Sequence, residues 1–209
     1  MKVTRLLITP ICLILVFGCF NSLRADISGA HNVVLATINQ LYSDVSTDYD
    51  NDEALQTSVE QSVERHLTPV LDFEKFTKLI LAKHWKTASD EQRARFTSIL
   101  KGFLFRTLTK AITEHHQTLV SYQEHIKVMD AKPGRNEDRA IVSVVINTSD
   151  GQTVKIDFRM GRNNGQWQAY DVIVQEISFA INYRAILNSE IKKHGIEKVA
   201  ETFDSKLKY

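Results

Sequence analysis

Past residue 19 the chain contains no cysteine; its only two are Cys12 and Cys19. That absence excludes a disulfide framework, a Cys-ligated zinc site and a thiol nucleophile in the body of the protein. Neither sign of charge dominates. Lys and Arg number 26 against 25 Asp and Glu, which excludes a strongly basic nucleic-acid binder and an acidic tail protein. Only 8 Gly and 3 Pro occur in 209 residues, too few for a fibrous or low-complexity chain. The longest uncharged apolar run, Leu6 to Gly18, is shorter than the ~20 residues a membrane span needs. What is present, 43% hydrophobic and 24% charged residues, is the composition of an ordinary globular domain.

That apolar run follows Lys2 and Arg5 and has the length of a secretory signal core. Leu23-Arg24-Ala25 before Asp26 is an imperfect small-residue cleavage site. The expectation is a signal peptide over residues 1–25 and one domain over 26–209, soluble after cleavage. Val16-Phe17-Gly18-Cys19 offers the alternative of a lipoprotein anchored through Cys19. Removing Lys2, Arg5 and Arg24 turns the net charge from +1 to −2. A thiol-free body suits an oxidising compartment.

Val33, Val34, Ile38, Leu41 and Val45 recur at helical spacing over residues 29–47. A second helix is expected at 53–66, capped by Asp52, and a third, short one from the N-cap Asp72 to near Trp85. Ser89-Asp90-Glu91-Gln92 is a capping box opening the longest helix, 90–116. Its broad stripe, including Phe96, Leu100, Phe103, Leu104 and Leu108, suits a helix that covers a sheet. The period then changes to two. Ala140, Val142, Val144 and Ile146 share one strand face, as do Val154, Ile156, Phe158 and Met160. Asp150-Gly151 and Asn163-Asn164-Gly165 are turn signals, and Trp167 to Val174 forms another strand. Helical spacing returns over 178–193 and again over 196–206. The expected class is α+β, with helices packed on one side of a curled antiparallel sheet of about four strands.

Recognised reaction chemistry is scarce. No nucleophile elbow, Walker loop or dinucleotide fingerprint occurs. The seven histidines have no metal-ligand spacing and read as solvated helix-end groups; no metal and no cofactor is expected. Gly161-Arg162-Asn163-Asn164-Gly165 has the glycines of a phosphate loop, but its place between antiparallel strands reads better as a hairpin turn. The bulky apolar faces are accounted for by a plain core, or by a core enclosing an elongated ligand cavity. Periodicity does not choose between them.

Two blocks do. Leu67-Thr68-Pro69-Val70-Leu71-Asp72-Phe73-Glu74-Lys75-Phe76 runs on through Trp85 to Ser89-Asp90-Glu91-Gln92 and Phe96. Trp167-Gln168-Ala169-Tyr170-Asp171-Val172-Ile173-Val174 is followed by Ile177-Ser178, Asn182-Tyr183-Arg184 and Gly195. In order and spacing, over roughly residues 31–207, they resemble the MlaC family, also called the toluene-tolerance auxiliary family. The resemblance implies a non-enzymatic periplasmic carrier with a fold related to the nuclear-transport-factor-like folds. It would hold a phospholipid with two acyl chains. Its expected partners are an outer-membrane lipoprotein–porin complex and an inner-membrane ABC transporter complex with its substrate-binding ring. It would thereby maintain outer-membrane lipid asymmetry. The alternatives are a periplasmic adaptor for a protein or peptide and, with no nucleophile motif to support it, a lipid-acting enzyme.

On this reading the lipid-binding residues are expected on the long helix and the inward strand faces: Leu100, Phe103, Leu104, Val142, Val144, Ile156, Phe158, Val172 and Val174. Asp171 and Arg184, kept in the family motif, are expected to form a buried or half-buried salt bridge pinning the following helix to the sheet, with a headgroup contact for Arg184 as the alternative. The chain departs from the family at two corners. It has Ala82 where the family usually has Gly, and Gln175-Glu176 where it has Glu-Gly. Glu176 in place of Gly restricts the backbone at the strand-to-helix turn.

Overall fold

The computed structural model describes residues 27–121, 125–148 and 150–206. The expected signal peptide, with Cys12 and Cys19, lies outside them. Six helices come first: α1 (Ser28–Val45), α2 (Asp52–Leu67), α3 (Phe73–Leu81), α4 (Lys83–Thr87), α5 (Asp90–Glu114) and α6 (His116–Ser121), with a 3-10 turn, Thr68–Val70, between α2 and α3. Six strands follow: β1 (Ile126–Val128), β2 (Lys132–Pro133), β3 (Arg139–Asn147), β4 (Thr153–Asn163), β5 (Gln166–Val174) and β6 (Ile177–Ser178). Helices α7 (Phe179–His194) and α8 (Ile196–Lys206) complete the described order. None of the described helices is long and apolar enough to cross a membrane.

The helix starts follow from their caps. Asn51, not the expected Asp52, caps α2, its side chain accepting from Ala54 N at 2.9 Å. Asp72 caps α3 by accepting from Lys75 N. Ser89 and Gln92 complete the capping box of α5. Each such cap contributes about 1 kcal/mol.

The sheet is open and antiparallel, in the order β1-β3-β4-β5-β6, with β2 also paired to β3. Beyond the expected strands, the short β2 and β6 extend it. Asn164 and Gly165 both have positive φ, the signature of a two-residue hairpin turn between β4 and β5. A β-bulge interrupts that pair: Arg159 pairs with Asp171, but Met160 pairs with Ala169, leaving Tyr170 as the extra residue.

The apolar residues form three clusters. One is helical, built from α3, α4, α5, α7 and α8 around Phe76, Leu81, Phe96, Leu100 and Leu187. A second joins α1 to the sheet through Val34, Val142, Val144 and Met160. A third links α1, α2 and α5 through Val45, Leu55, Val59 and Val63. The helix covering the apolar face of the sheet is therefore α1, not α5; α3 and α7 meet the sheet at β5. Phe96, Ile99 and Leu100 of α5 serve the first cluster, while Phe105, Leu108 and Ile112 serve the third. The broad stripe of α5 is the union of two contacts with other helices.

A polar clasp holds the third cluster. Asp44 of α1 accepts from Ser62 Oγ at 2.8 Å and from His66 Nε2 at 2.9 Å, both on α2. The histidine is thus a packed partner rather than the solvated group expected. Its hydrogen bond is the largest of the influences holding the Asp44 carboxyl below its usual range, against the opposing effect of burial. A depressed acid contributes stability above its unfolded pKa, about 3.9, and loses it as pH falls through the folded value. Asp44→Asn should therefore be less stable than wild type at neutral pH and converge with it in acid, as pH falls through the lowered folded value, in urea titrations. A pH-independent deficit would contradict the clasp.

Both departures from the family fall on strained backbone. Ala82, between α3 and α4, has φ 49° and ψ −111°; Gln175 and Glu176 have φ 47° and 68°. A Cβ is disfavoured there and glycine is not. Ala82→Gly should stabilise the protein by about 1 kcal/mol or more, read as a higher urea midpoint at unchanged slope. A loss of stability would show that the Cβ contributes packing that outweighs the strain.

Candidate functional site

Six of the expected lining residues form a grid on the α1-facing side of the sheet. Val142, Phe158 and Val172 make one cross-strand row; Val144, Ile156 and Val174 make the next. The second row continues onto β6, because Val174 pairs with Ile177. Exposure rises along it: Val144 is 2% exposed, Ile156 is half-buried, Val174 is 42% and Ile177 66% exposed. Ile181, on the first turns of α7, is exposed beside it in sequence. The row begins under α1 and ends as an uncovered apolar lip.

Beside the grid, reached by Phe158 alone of the nine expected residues, lies a cavity of about 90 Å³ under α1. Val33, Val34, Thr37, Ile38 and Leu41 of α1 line it from one side; Phe158, Met160 and Ala169 line it from the sheet. Leu67, Val70 and Leu71 close a third side. Its one hydroxyl-bearing residue, Thr37, donates to Val33 O within its own helix, so nothing polar points in. The volume is that of about three water molecules, so any larger occupant must part α1 from the sheet.

A larger cleft, about 920 Å³, runs between α2 and α5. It is lined by Glu60, Glu64, Arg106, Lys110 and Glu114 beside Phe103 and Phe105. Acyl chains laid there would desolvate Glu60, Arg106 and the solvated pairs Lys101–Glu64 and Lys110–Glu114, so the smaller cavity has the better chemistry for an apolar ligand.

The helical residues of the expected site fall elsewhere. Leu100 is 1% exposed within the all-helical cluster. Phe103 packs edge-on to Tyr183 and beside Phe179, and Leu104 is half-buried on the same helix. None of the three lines the cavity under α1. In their place come α1 and the Leu67–Leu71 segment. The signal for them was present in Val33, Val34, Ile38 and Leu41, a stripe of the width a sheet-covering helix needs.

The expected Asp171–Arg184 salt bridge does not form. Asp171, whose side chain is fully buried, pairs instead with Arg159 Nη1 at 3.0 Å. It also accepts from Ser178 Oγ at 2.7 Å and from Ala180 N at 3.0 Å. Ser178 in turn caps α7 by accepting from Ile181 N. A carboxylate at a helix N-terminus is favoured by the helix dipole and by the unpaired N–H groups there. Asp171 does tie the helices to the sheet, but through the start of α7. Arg184, a turn further on, donates Nε to Leu79 O at 2.7 Å and so joins α7 to α3.

Among the described residues, no three His, Cys, Asp or Glu gather where a metal ion could be held. Asp171→Ala would leave Ser178, Ala180 and Arg159 without their acceptor and should cost about 3 kcal/mol. Arg184→Ala removes one hydrogen bond to a carbonyl and should cost about 1–2 kcal/mol. Equal losses in denaturant titrations would contradict this division of roles.

A family model described as MlaC protein matches residues 35–205. The toluene tolerance protein ttg2D of Pseudomonas putida is 22% identical over 184 residues, 88% of this chain and 82% of that protein. A phospholipid-binding protein from Ralstonia solanacearum, solved in complex with a phospholipid, superposes with a TM-score of 0.73 at 19% identity. That match covers 85% of this chain and 96% of the other. The match spans both sequence blocks, the α1-covered sheet and the helical body, and the chain belongs to the MlaC family.

Proposed function

We propose that the protein is a periplasmic phospholipid carrier, exported by its leader, and that it holds two acyl chains between α1 and the β3–β5 face. The observation that carries this reading is the apolar row from Val144 to Ile177, buried at one end and open at the other. Family membership supports it. So does the phospholipid bound to the Ralstonia protein of similar fold.

The energetics define how such a carrier works. Each buried methylene contributes about 0.8 kcal/mol, so on the order of ten in each of two chains amounts to roughly 16 kcal/mol. Release into water at that cost is far too slow and too unfavourable to be useful. Lipid must instead pass between contiguous apolar surfaces. The lip at Val174, Ile177 and Ile181 supplies such a surface, and α1 is the element that must lift, since the cavity beneath it is small. The donor and acceptor in this proposal are an outer-membrane lipoprotein–porin complex and an inner-membrane ABC transporter complex with its substrate-binding ring. Traffic between them would maintain outer-membrane lipid asymmetry.

Mass spectrometry of lipid extracted from the purified protein tests the reading. Phospholipid at near-stoichiometric yield is expected. Phe158→Asp, which places a charge on the grid beside the cavity, should abolish that yield while leaving a folded protein by circular dichroism. Protein free of lipid from every preparation, or undiminished lipid in Phe158→Asp, would contradict it.

A further inference from the structure

Gly161 sits at the centre of a cationic cluster on the opposite side of the sheet from the apolar grid. It pairs with Arg139 on β3 and with Gln168 on β5. A Cβ placed on it would lie 2.6 Å from Lys75 Nζ, 2.8 Å from Arg139 Nη1 and 3.3 Å from Tyr170 Cδ1. Any side chain would therefore have to displace both cations. Lys75 Nζ is 4.4 Å and the Arg139 guanidinium 4.7 Å from the centre of the Tyr170 ring. Since both nitrogens approach one point beside Gly161, they crowd together instead of flanking the ring from well-separated positions.

Two like charges this close need a counter-charge, and the fold supplies none in contact. Among the described residues neither Lys75 nor Arg139 enters an ion pair. Arg139 Nη1 is buried and has no hydrogen-bond partner. Asp72 and Asp138 act on Lys75 only at longer range; burial, then the Arg139 charge, holds its pKa below the usual lysine value. Cation–π contact offsets part of the cost, but a guanidinium N–H left without an acceptor is a standing penalty.

The bulge is what assembles the cluster. By adding one residue to β5 it brings Tyr170 beside Gly161, while Lys75 arrives from the first turn of α3. We propose that Lys75, Arg139 and Tyr170 around Gly161 form an oxyanion site that takes a phosphate group. A tetrahedral phosphate offers several acceptor oxygens, enough to engage an ammonium and a guanidinium together. Free phosphate and a phospholipid headgroup share that chemistry. The site does not depend on where acyl chains lie, so its failure would leave the lipid proposal standing, and the converse holds.

The test is a titration of the purified protein with inorganic phosphate against chloride at equal ionic strength, followed by calorimetry and by melting temperature. Phosphate should bind and raise the melting temperature. Lys75→Gln and Arg139→Gln should each weaken binding by about tenfold or more. In phosphate-free buffer both variants should melt no lower than wild type, because each relieves repulsion; a merely structural cation would melt lower when removed. Gly161→Ala should abolish binding. Competition by dihexanoyl phosphatidylglycerol below its micelle concentration would identify the headgroup as the source, and its absence would identify free phosphate; either supports the site. No phosphate-specific effect, or the same effect in Lys75→Gln and Arg139→Gln, would overturn it.

Discussion

The carboxylate of Asp171 is where the sheet and the helical body become one structure. It is buried, and its three acceptor contacts run to β4 through Arg159, to Ser178 at the start of α7, and to the backbone of α7 at Ala180. A buried charge is tolerated only when paired and fully hydrogen-bonded. The requirement therefore fixes three elements at once. The β-bulge makes it possible. Were Tyr170 an ordinary strand residue rather than a bulge, strict alternation from Trp167 and Ala169 would turn Asp171 onto the apolar face and Val172 off it. With the bulge, Met160–Ala169 and Phe158–Val172 both face α1, and Asp171 faces the other way. The same residue insertion brings Tyr170 to Lys75 and Arg139. One local irregularity thus sets the polarity of both sides of the sheet.

The two sides differ in what they leave unsatisfied. On the α1 side the shortfall is cover: the apolar row emerges from beneath the helix and ends exposed at Ile177. On the other side it is charge compensation around Gly161. A stable core would tend to remove both, and natural sequences keep such local inconsistencies where a ligand resolves them. The helical cluster around Phe76, Leu100 and Leu187 shows neither defect. It joins the sheet through α7, while on the proposed carrier reading the α1–sheet seam, with its small cavity, is the part that must open.

Much of this was legible in the chain. Strand faces Val142, Val144, Ile156 and Phe158 follow from alternation, which has no competing explanation once period two is established. The caps at Asp72 and Ser89 follow from side-chain chemistry local to the turn. The two strained corners, at Ala82 and at Gln175-Glu176, were legible only as departures from a glycine pattern, because φ leaves no other trace in sequence. The covering helix was misread. Leu100, Phe103 and Leu104 lie on the longest apolar stripe, but amphipathicity reports that a face is buried, not against what. Arg159 was missed as the partner of Asp171 because the pairing depends on the bulge. The parity change between Ala169 and Val172 was the available signal: inward residues are odd before Tyr170 and even after it.

The proposed carrier holds its apolar ligand between α1 and the β3–β5 grid. Intermolecular nuclear Overhauser effects between a phospholipid with labelled acyl chains and the protein's methyl groups test it most directly. Contacts to Val34 and Ile38 of α1 together with Val144, Ile156 and Val174 of the sheet are expected. Contacts confined to Thr109, Thr113 and their neighbours in the α2–α5 cleft would contradict it.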